Sequence, residues 1–320
     1  MPVKRALILG VGFIGSALAR DLRASGYEVT GVDLDPSNQS AVDSFILSDI
    51  RGMQGHQALD FIYAFDEVYQ LAADFGGAGY CFTGAHDADI LRNNLQINTN
   101  VLTLLAGVNF RGRVFFASSA CVYPEHNQSS PQTPNCVEGS VYPAAPDSDY
   151  GWEKLTAERL YLAHARNYGL TIRIGRLHAI YGPGDDFDGG REKAPMALCR
   201  KAALSDHFVE VWGDGQQTRS FLYIDDCIRG IRALMASNEG RPTNIGSEEM
   251  VSINGLAELI IRISGRDLLI KNIPGPQGVR GRRSDNTQMF DATGWEPSIP
   301  LFYGLQKTYS WIEEQLRRAA

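Results

Sequence analysis

The segment 6–33 constrains the fold more than any other part of the chain. The apolar run Ala6-Leu7-Ile8-Leu9 has the length of a buried strand and leads directly into Gly10-Val11-Gly12-Phe13-Ile14-Gly15. Residues 16–25 follow with helical patterning, and residues 28–32 form a second apolar run that ends on Asp33. Glycines at 10, 12 and 15 permit a tight turn whose amide N–H groups approach a pyrophosphate at a helix N-terminus. A carboxylate at the end of the next strand stands where adenosine ribose hydroxyls are bound. A lone glycine string is weak evidence, but strand, turn, helix and acid in this order predict a dinucleotide site built from Gly10, Gly12, Phe13, Ile14, Gly15 and Asp33. The stretch Asp33-Leu34-Asp35-Pro36 offers carboxylates and no arginine for a 2'-phosphate, so the expected cofactor is NAD. Asp49, after the next strand candidate, is expected near the adenine.

Further strand candidates at 45–47, 67–71, 114–117 and 171–174, with helical segments between several of them, predict an α/β fold with a doubly wound parallel (Rossmann) sheet. A chain of 320 residues also has room for a second core. The expected division is a cofactor domain over 1–175, with 208–235 returning to it. A smaller, interleaved C-terminal substrate domain is expected over 176–207 and 236–320. Residues 125–149, rich in Pro, Ser and Asn and without periodicity, are expected to cover the active site. Residues 301–316 have amphipathic helical spacing.

A formal net charge of -7 argues against a nucleic-acid or acidic-membrane partner, which rewards clustered positive charge. The N-terminal apolar run is broken by glycines, and no stretch approaches the ~20 apolar residues of a membrane span, so a cytoplasmic protein is expected. Cys81, Cys121, Cys136, Cys199 and Cys227 lack metal-ligand spacing, which predicts free thiols and no metal.

Tyr150 and Lys154 lie four apart at the start of a helical segment, on one face. An ammonium beside a phenol lowers its pKa from about 10, making tyrosine usable as a base near neutrality. Ser119, at a strand end, offers an accompanying hydroxyl. Tyr-x-x-x-Lys is common by chance and gains weight here from the glycine turn and from Ser119.

Together with Ser118-Ser119-Ala120-Cys121-Val122-Tyr123-Pro124-Glu125 and Tyr181-Gly182-Pro183, these motifs resemble the extended short-chain dehydrogenase/reductase family over nearly the whole chain. Gly76-Gly77-Ala78-Gly79, Gly190-Arg191-Glu192-Lys193-Ala194-Pro195, the segment 212–221 and the segment 275–282 narrow the resemblance to the branch that inverts C3 and C5 of GDP-mannose. The resemblance implies NAD as cofactor and a GDP-hexose as partner. It implies that Tyr150, Lys154 and Ser119 serve a transient oxidation of C4, with Tyr150 and Lys154 also on the cofactor. Oxidation makes the C3 and C5 hydrogens acidic, and inversion then needs two groups on opposite faces of the ring, here Cys121 and Lys193. A thiol is a poor base at neutrality unless cations favour its thiolate, a role expected of Lys193 and the oxidised nicotinamide. The same resemblance sets Gly79, Ser119, Cys121, Glu192, Lys193, Ala194, Lys201, Gln217, Thr218, Arg219 and Arg282 against the substrate, with arginine and lysine neutralising its diphosphate. It also implies a homodimer paired through two helices of the cofactor domain. His178 is expected to be structural.

Two departures stand out. The glycine turn is one residue shorter between its first two glycines than is usual in the family, and Ala179 replaces the asparagine of Arg-x-x-Asn-x-Tyr-Gly-Pro. Another sugar-nucleotide 4-oxidoreductase or a C4 epimerase would share every cofactor residue, and a catalytically silent NAD-binding sensor is the alternative of a different class. Intact Tyr150, Lys154 and Cys121 count against the sensor, and Ala120-Cys121 counts against a 4,6-dehydratase, which usually carries an acidic pair there.

Overall fold

A computed structural model describes residues 3–53 and 62–319. The first half alternates strand and helix: β1 (Arg5–Leu9), α1 (Phe13–Ala24), β2 (Glu28–Asp33), β3 (Ser44–Leu47), β4 (Glu67–Gln70), α2 (Ala78–Cys81), α3 (Asp87–Gly107), β5 (Arg113–Ser119), α4 (Asp149–Tyr168) and β6 (Thr171–Leu177). The second half contains β7 (Ile180–Tyr181), α5 (Ala194–Leu204), β8 (Phe208–Trp212), β9 (Thr218–Ser220), β10 (Leu222–Tyr223), α6 (Ile224–Ala236) and β11 (Thr243–Ile245). It closes with β12 (Met250–Ser252), α7 (Ile253–Ser264), β13 (Leu269–Ile273), β14 (Gly281–Arg282), α8 (Thr287–Thr293) and α9 (Leu301–Ala319).

Among the described residues, seven strands form one sheet in the order β11-β6-β5-β4-β1-β2-β3. Every pairing in it is parallel. A parallel sheet is covered on both faces, which is why Ala6, Leu7, Ile8 and Leu9 of β1 form an unbroken apolar run with no exposure. One face carries α3 and α4, packed against each other, and the other carries α1 and α6. The strand order reverses between β1 and β4, and a crevice outside the carboxyl ends of the strands at such a point is where α/β sheets take ligands.

The start of α4 fixes the geometry of that crevice. The Ser148 hydroxyl accepts the Gly151 amide at 3.2 Å and caps the helix, and Gly169 ends it at φ +69°. A Cβ on Gly151 would run into the Cys121 carbonyl, so glycine lets the helix press directly against the end of β5. Tyr150 and Cys121 are thereby packed in one small apolar cluster with Tyr80 and Cys81.

The elements outside the large sheet are assembled from pieces far apart in sequence and share one continuous apolar core with β1, α1 and α6. β8 pairs with β13, β9 lies between β12 and β14, and α5, α7 and α9 pack together. The segment 208–235 is divided: β8 pairs outside the large sheet, while α6 packs on β5 and β6. β11, beyond 235, closes the edge of the large sheet beside β6. Parallel pairing explains this, because β11 needs a crossover connection to reach β6, and α6 provides it.

Residues 125–149, expected as a cover, contribute no side chain to the central cavity. They pack against Arg176, Thr218 and Arg282. Arg176 of β6 pairs with Glu158 of α4 at 2.8 Å, both nearly without exposure, and also donates to the Tyr123 hydroxyl and the Glu138 carbonyl. One buried guanidinium thus ties sheet, helix and loop. Arg176→Met leaves the Glu158 carboxylate buried with, among the described residues, only Ser118 donating to it. The expected destabilisation is about 3–5 kcal/mol, measured as a fall in the urea unfolding midpoint, and an unchanged midpoint refutes this assignment.

Candidate active site

A cavity of about 900 Å³ runs from the glycine turn across the ends of β1, β4 and β5 to Trp212. At its cofactor end, Gly10 has φ +95° and a Cβ there would stand 2.6 Å from the Ala72 nitrogen. A Cβ on Gly15 would overlap the Gly10 carbonyl. Gly12 differs: no protein atom lies within 4 Å of where its Cβ would be, and that space belongs to the cavity, in front of the uncapped N-terminus of α1. A Cβ-free cradle of open amides is what a pyrophosphate needs, so the residues present fit a dinucleotide. Asp33 lines the same end, its carboxylate accepting the Val11 amide at 2.6 Å and the Asp35 amide at 3.0 Å. Asp49 also lines the cavity and grips Arg51, with Nη2 to Oδ2 at 2.7 Å, a partner the sequence did not single out.

At the centre stand Ser119, Cys121, Tyr150 and Lys154, all lining the cavity. Burial pushes the Tyr150 phenol well above its ordinary value, the Cys121 thiol and the Glu153 carboxyl push the same way, and the Ser119 hydroxyl opposes them. Burial also lowers the Lys154 ammonium, against the pull of Glu153. The Lys154 nitrogen lies 5.6 Å from the Tyr150 ring centroid and 5.0 Å from that of Phe116. The phenol is therefore raised where the sequence predicted a lowering by the lysine, because burial has removed its water.

Cys121 has a different cation from the expected one. Arg282 Nη1 donates to its Sγ at 3.3 Å, while Nε donates to Gln128 and Nη2 to Asp147 at 3.0 Å. Burial raises the thiol and the Arg282 charge lowers it. Arg282 is held by side chains on all three nitrogens, and its neighbours are a thiol, an amide and a carboxylate. Lys193 instead forms an ion pair with Asp185 at 2.8 Å and donates to the Ile180 carbonyl at 2.8 Å. Its nitrogen lies 5.1 Å from the Phe13 ring centroid and 6.0 Å from that of Phe75, whose ring in turn packs 4.8 Å from Tyr150.

Gly79, Glu192, Ala194, Lys201, Gln217 and Arg219 line the far end. Thr218 does not: its hydroxyl donates to the Pro131 carbonyl at 2.5 Å, because alternate residues of β9 point to opposite sides. The Arg219 guanidinium bonds only carbonyls, those of Thr218 at 2.8 Å and Gln277 at 3.1 Å. Burial, then repulsion from Arg282, bring it down to about 10. Among the described residues no carboxylate hydrogen-bonds this guanidinium, although the Asp147 charge acts on it from nearby. Lys201 donates to the Glu210 carbonyl at 2.9 Å and lies 5.9 Å from the Trp212 ring centroid. Ala179 has φ +42°, a left-handed conformation that asparagine adopts more readily than alanine, so the departure at this position is visible in the backbone as well. His178 is buried, its Nε2 2.9 Å from Asn244 Oδ1, and burial pulls it down to about 3.

Asp185, Asp147, Gln128 and Phe75 carried no signal in the sequence, and Arg191 was noted only as part of a motif, without a role. Asp185 sits in a Gly/Asp-rich stretch with the look of solvated loop, and Asp147 sits in the aperiodic segment. Arg191 bridges the cavity mouth, donating to Asp74 at 3.3 Å and to the Phe75 carbonyl at 3.1 Å.

The contrast between Gly12 and Gly15 is testable. Gly12→Ala is expected to leave the thermal midpoint of the ligand-free protein in place while weakening NAD binding about tenfold or more in calorimetric titration, because its methyl group enters only the ligand's space. Gly15→Ala is expected to destabilise the protein itself. Unaltered NAD affinity in Gly12→Ala overturns the cradle.

A family model described as the NAD dependent epimerase/dehydratase family matches residues 6–246. GDP-mannose 3,5-epimerase 1 of Oryza sativa subsp. indica is 44% identical over 311 residues, which are 96% of this chain and 81% of that protein. GDP-mannose 3,5-epimerase of Arabidopsis thaliana is 43% identical over the same share of each chain. The crystal structure of UDP-glucuronic acid 4-epimerase from Bacillus cereus in complex with UDP-glucuronic acid and NAD superposes with a TM-score of 0.81 at 27% identity, covering 97% of this chain and 99% of that one. The glycine cradle, the seven-stranded parallel sheet and a family match across both make this chain a member of the NAD dependent epimerase/dehydratase family.

Proposed function

We propose that this chain is an NAD-dependent GDP-mannose 3,5-epimerase. The observation that carries the reading is the contact of Cys121 with Arg282 beside Tyr150, on a cavity that Lys193 also lines. The glycine cradle would hold NAD, which would supply the acceptor and donor of the C4 hydride. Tyr150 takes the C4 hydroxyl proton and later returns it, with Ser119 and Lys154 orienting the phenol. The ketone at C4 makes the hydrogens at C3 and C5 acidic, because the carbanion delocalises into the carbonyl. Cys121 removes a proton on one face, its thiolate favoured by Arg282 against the cost of burial. Lys193 returns a proton on the other. Arg219 and Lys201 meet the diphosphate, and Gln217, Glu192, Gly79 and Ala194 shape the sugar and nucleotide ends. In this reading Arg282 acts on the thiol with three of its five N–H donors engaged within the protein, and it still lines the cavity.

The test is incubation with GDP-mannose in deuterated water, followed by NMR. Deuterium at C3 and C5 with galactose- or gulose-configured products is the expected result, and no exchange with no product rejects the reading. Cys121→Ala is expected to keep NAD binding and C4 oxidation and to lose exchange at C5. Undiminished deuterium there removes Cys121 as the base.

We take the protein to be a cytoplasmic homodimer. All five cysteines are free and buried, as suits a reducing compartment, and among the described residues no helix is long and apolar enough to cross a membrane. On α4, Trp152 and Tyr168 are 44% and 54% exposed, apolar surface that a partner copy would cover. Light scattering is expected to return twice the chain mass of 35.2 kDa, and a monomeric mass at working concentration refutes the pairing.

A further inference from the structure

Lysine is a poor instrument for delivering a proton to one face of one carbon, because its ammonium rides on a flexible four-carbon stem. In this protein the stem of Lys193 is not free. Its nitrogen is 2.8 Å from Asp185 Oδ2 and 2.8 Å from the Ile180 carbonyl, so two of the three N–H bonds are used within the protein. The Phe13 and Phe75 rings flank it. Asp185 is itself fixed. Its Oδ1 accepts the Asp186 amide at 3.1 Å, and its own amide donates to the Gly182 carbonyl at 3.2 Å. The turn that carries it needs Gly182 at φ +150° and Gly184 at φ +94°. The carboxylate is buried, with a side-chain exposure of 8%, and lines the cavity. A carboxyl in that position is costly unless a cation answers it, and Lys193 is that cation.

We infer that Asp185 is the positioning residue for Lys193, holding the ammonium so that its one uncommitted N–H faces the substrate carbon. The inference rests on Lys193 being the acid of the proposed epimerisation. In the step concerned, the C5–H bond breaks as its proton passes to the Cys121 thiolate, and the electron pair moves into the C4 carbonyl. An N–H bond of Lys193 then breaks as the new C5–H bond forms on the opposite face from the enolate pair, and the nitrogen keeps the lone pair. With Asp185 and Ile180 retaining the other two protons, only the cavity-facing proton is transferred, and the lone pair it leaves points along the same line. The other titratable groups near this pair are Asp186, Glu192 and Cys227, and among the described residues none of them bonds the Lys193 nitrogen.

The experiment compares Asp185→Asn, Asp185→Glu, Lys193→Met and the double variant Asp185→Asn with Lys193→Met, each as the NAD-loaded enzyme with GDP-mannose in deuterated water. Asp185→Asn is expected to keep KM and the burst of reduced-nicotinamide absorbance, and to lower kcat and C5 deuteration by roughly a hundredfold, the cost of misplacing a reacting group. Asp185→Glu, which keeps the charge, is expected to recover part of the loss, and adding Asp185→Asn to Lys193→Met is expected to change nothing further. An Asp185→Asn enzyme with unchanged kcat beside an inactive Lys193→Met overturns the inference alone. So does a kcat loss of the same size in the Lys193→Met background, or a loss that only follows the folded fraction read by circular dichroism. Full C5 exchange in Lys193→Met overturns both the acid assignment and the inference built on it.

Discussion

The buried Arg282 guanidinium is the interaction on which the site depends. It comes from β14, near the end of the chain, and reaches Cys121 at the end of β5, with Gln128 and Asp147 from the aperiodic segment completing its hydrogen bonds. A charge removed from water needs a counter-charge and hydrogen-bond partners, and stranding such a group costs on the order of 3–5 kcal/mol. The order of residues 125–149 follows from this need. A segment without periodicity or an apolar face of its own is held because Arg282 from one side and Arg176 from the other require its acceptors. The same contact joins the sheet to the elements outside it, so the thiol's environment exists only when both halves of the chain are folded together.

Of the seven cations that line the cavity among the described residues, Arg282, Lys193 and Arg219 differ most in their partners. Arg282 and Lys193 each lie against a buried aspartate, Asp147 and Asp185, and so are neutralised inside the protein. Arg219 hydrogen-bonds only carbonyls among the described residues and has a second guanidinium nearby, so it is the cation proposed above for the diphosphate. Charge count alone would assign all three to a diphosphate. Desolvation decides otherwise, since an anion-binding cation must be poorly compensated in its absence, while a cation that tunes or positions another group must be well compensated.

Much of the cofactor half was legible because local geometry dictates it. Gly10 and Gly15 are required by contacts with Ala72 and with the turn itself, and Asp33 by its place at the end of a strand whose neighbour carries the turn. Strands 45–47 and 114–117 were visible as apolar runs and lengthened by one to three residues on pairing, because hydrogen-bond ladders extend past the apolar core. The elements outside the large sheet were less legible. β7, β10 and β14 are two-residue strands whose pairing partners lie about forty or more positions away, and such pairs leave no periodic signal.

The sequence by itself determined the glycine cradle and the pairing of Tyr150 with Lys154 on one helix face, because each depends on residues within a turn or two of each other. Ser148, Gly151 and Gly169 likewise set the limits of α4 and its approach to Cys121 through local sterics. Only the tertiary structure decided which cation meets which group. That choice assigned Arg282 to the thiol, Asp185 to Lys193 and the Thr218 hydroxyl to Pro131, and it turned an expected cover into a support. The physical reason is that desolvated charges are matched across space, through contacts as far as 161 positions apart, and burial at each site is set by the whole fold and not by its neighbours in the chain.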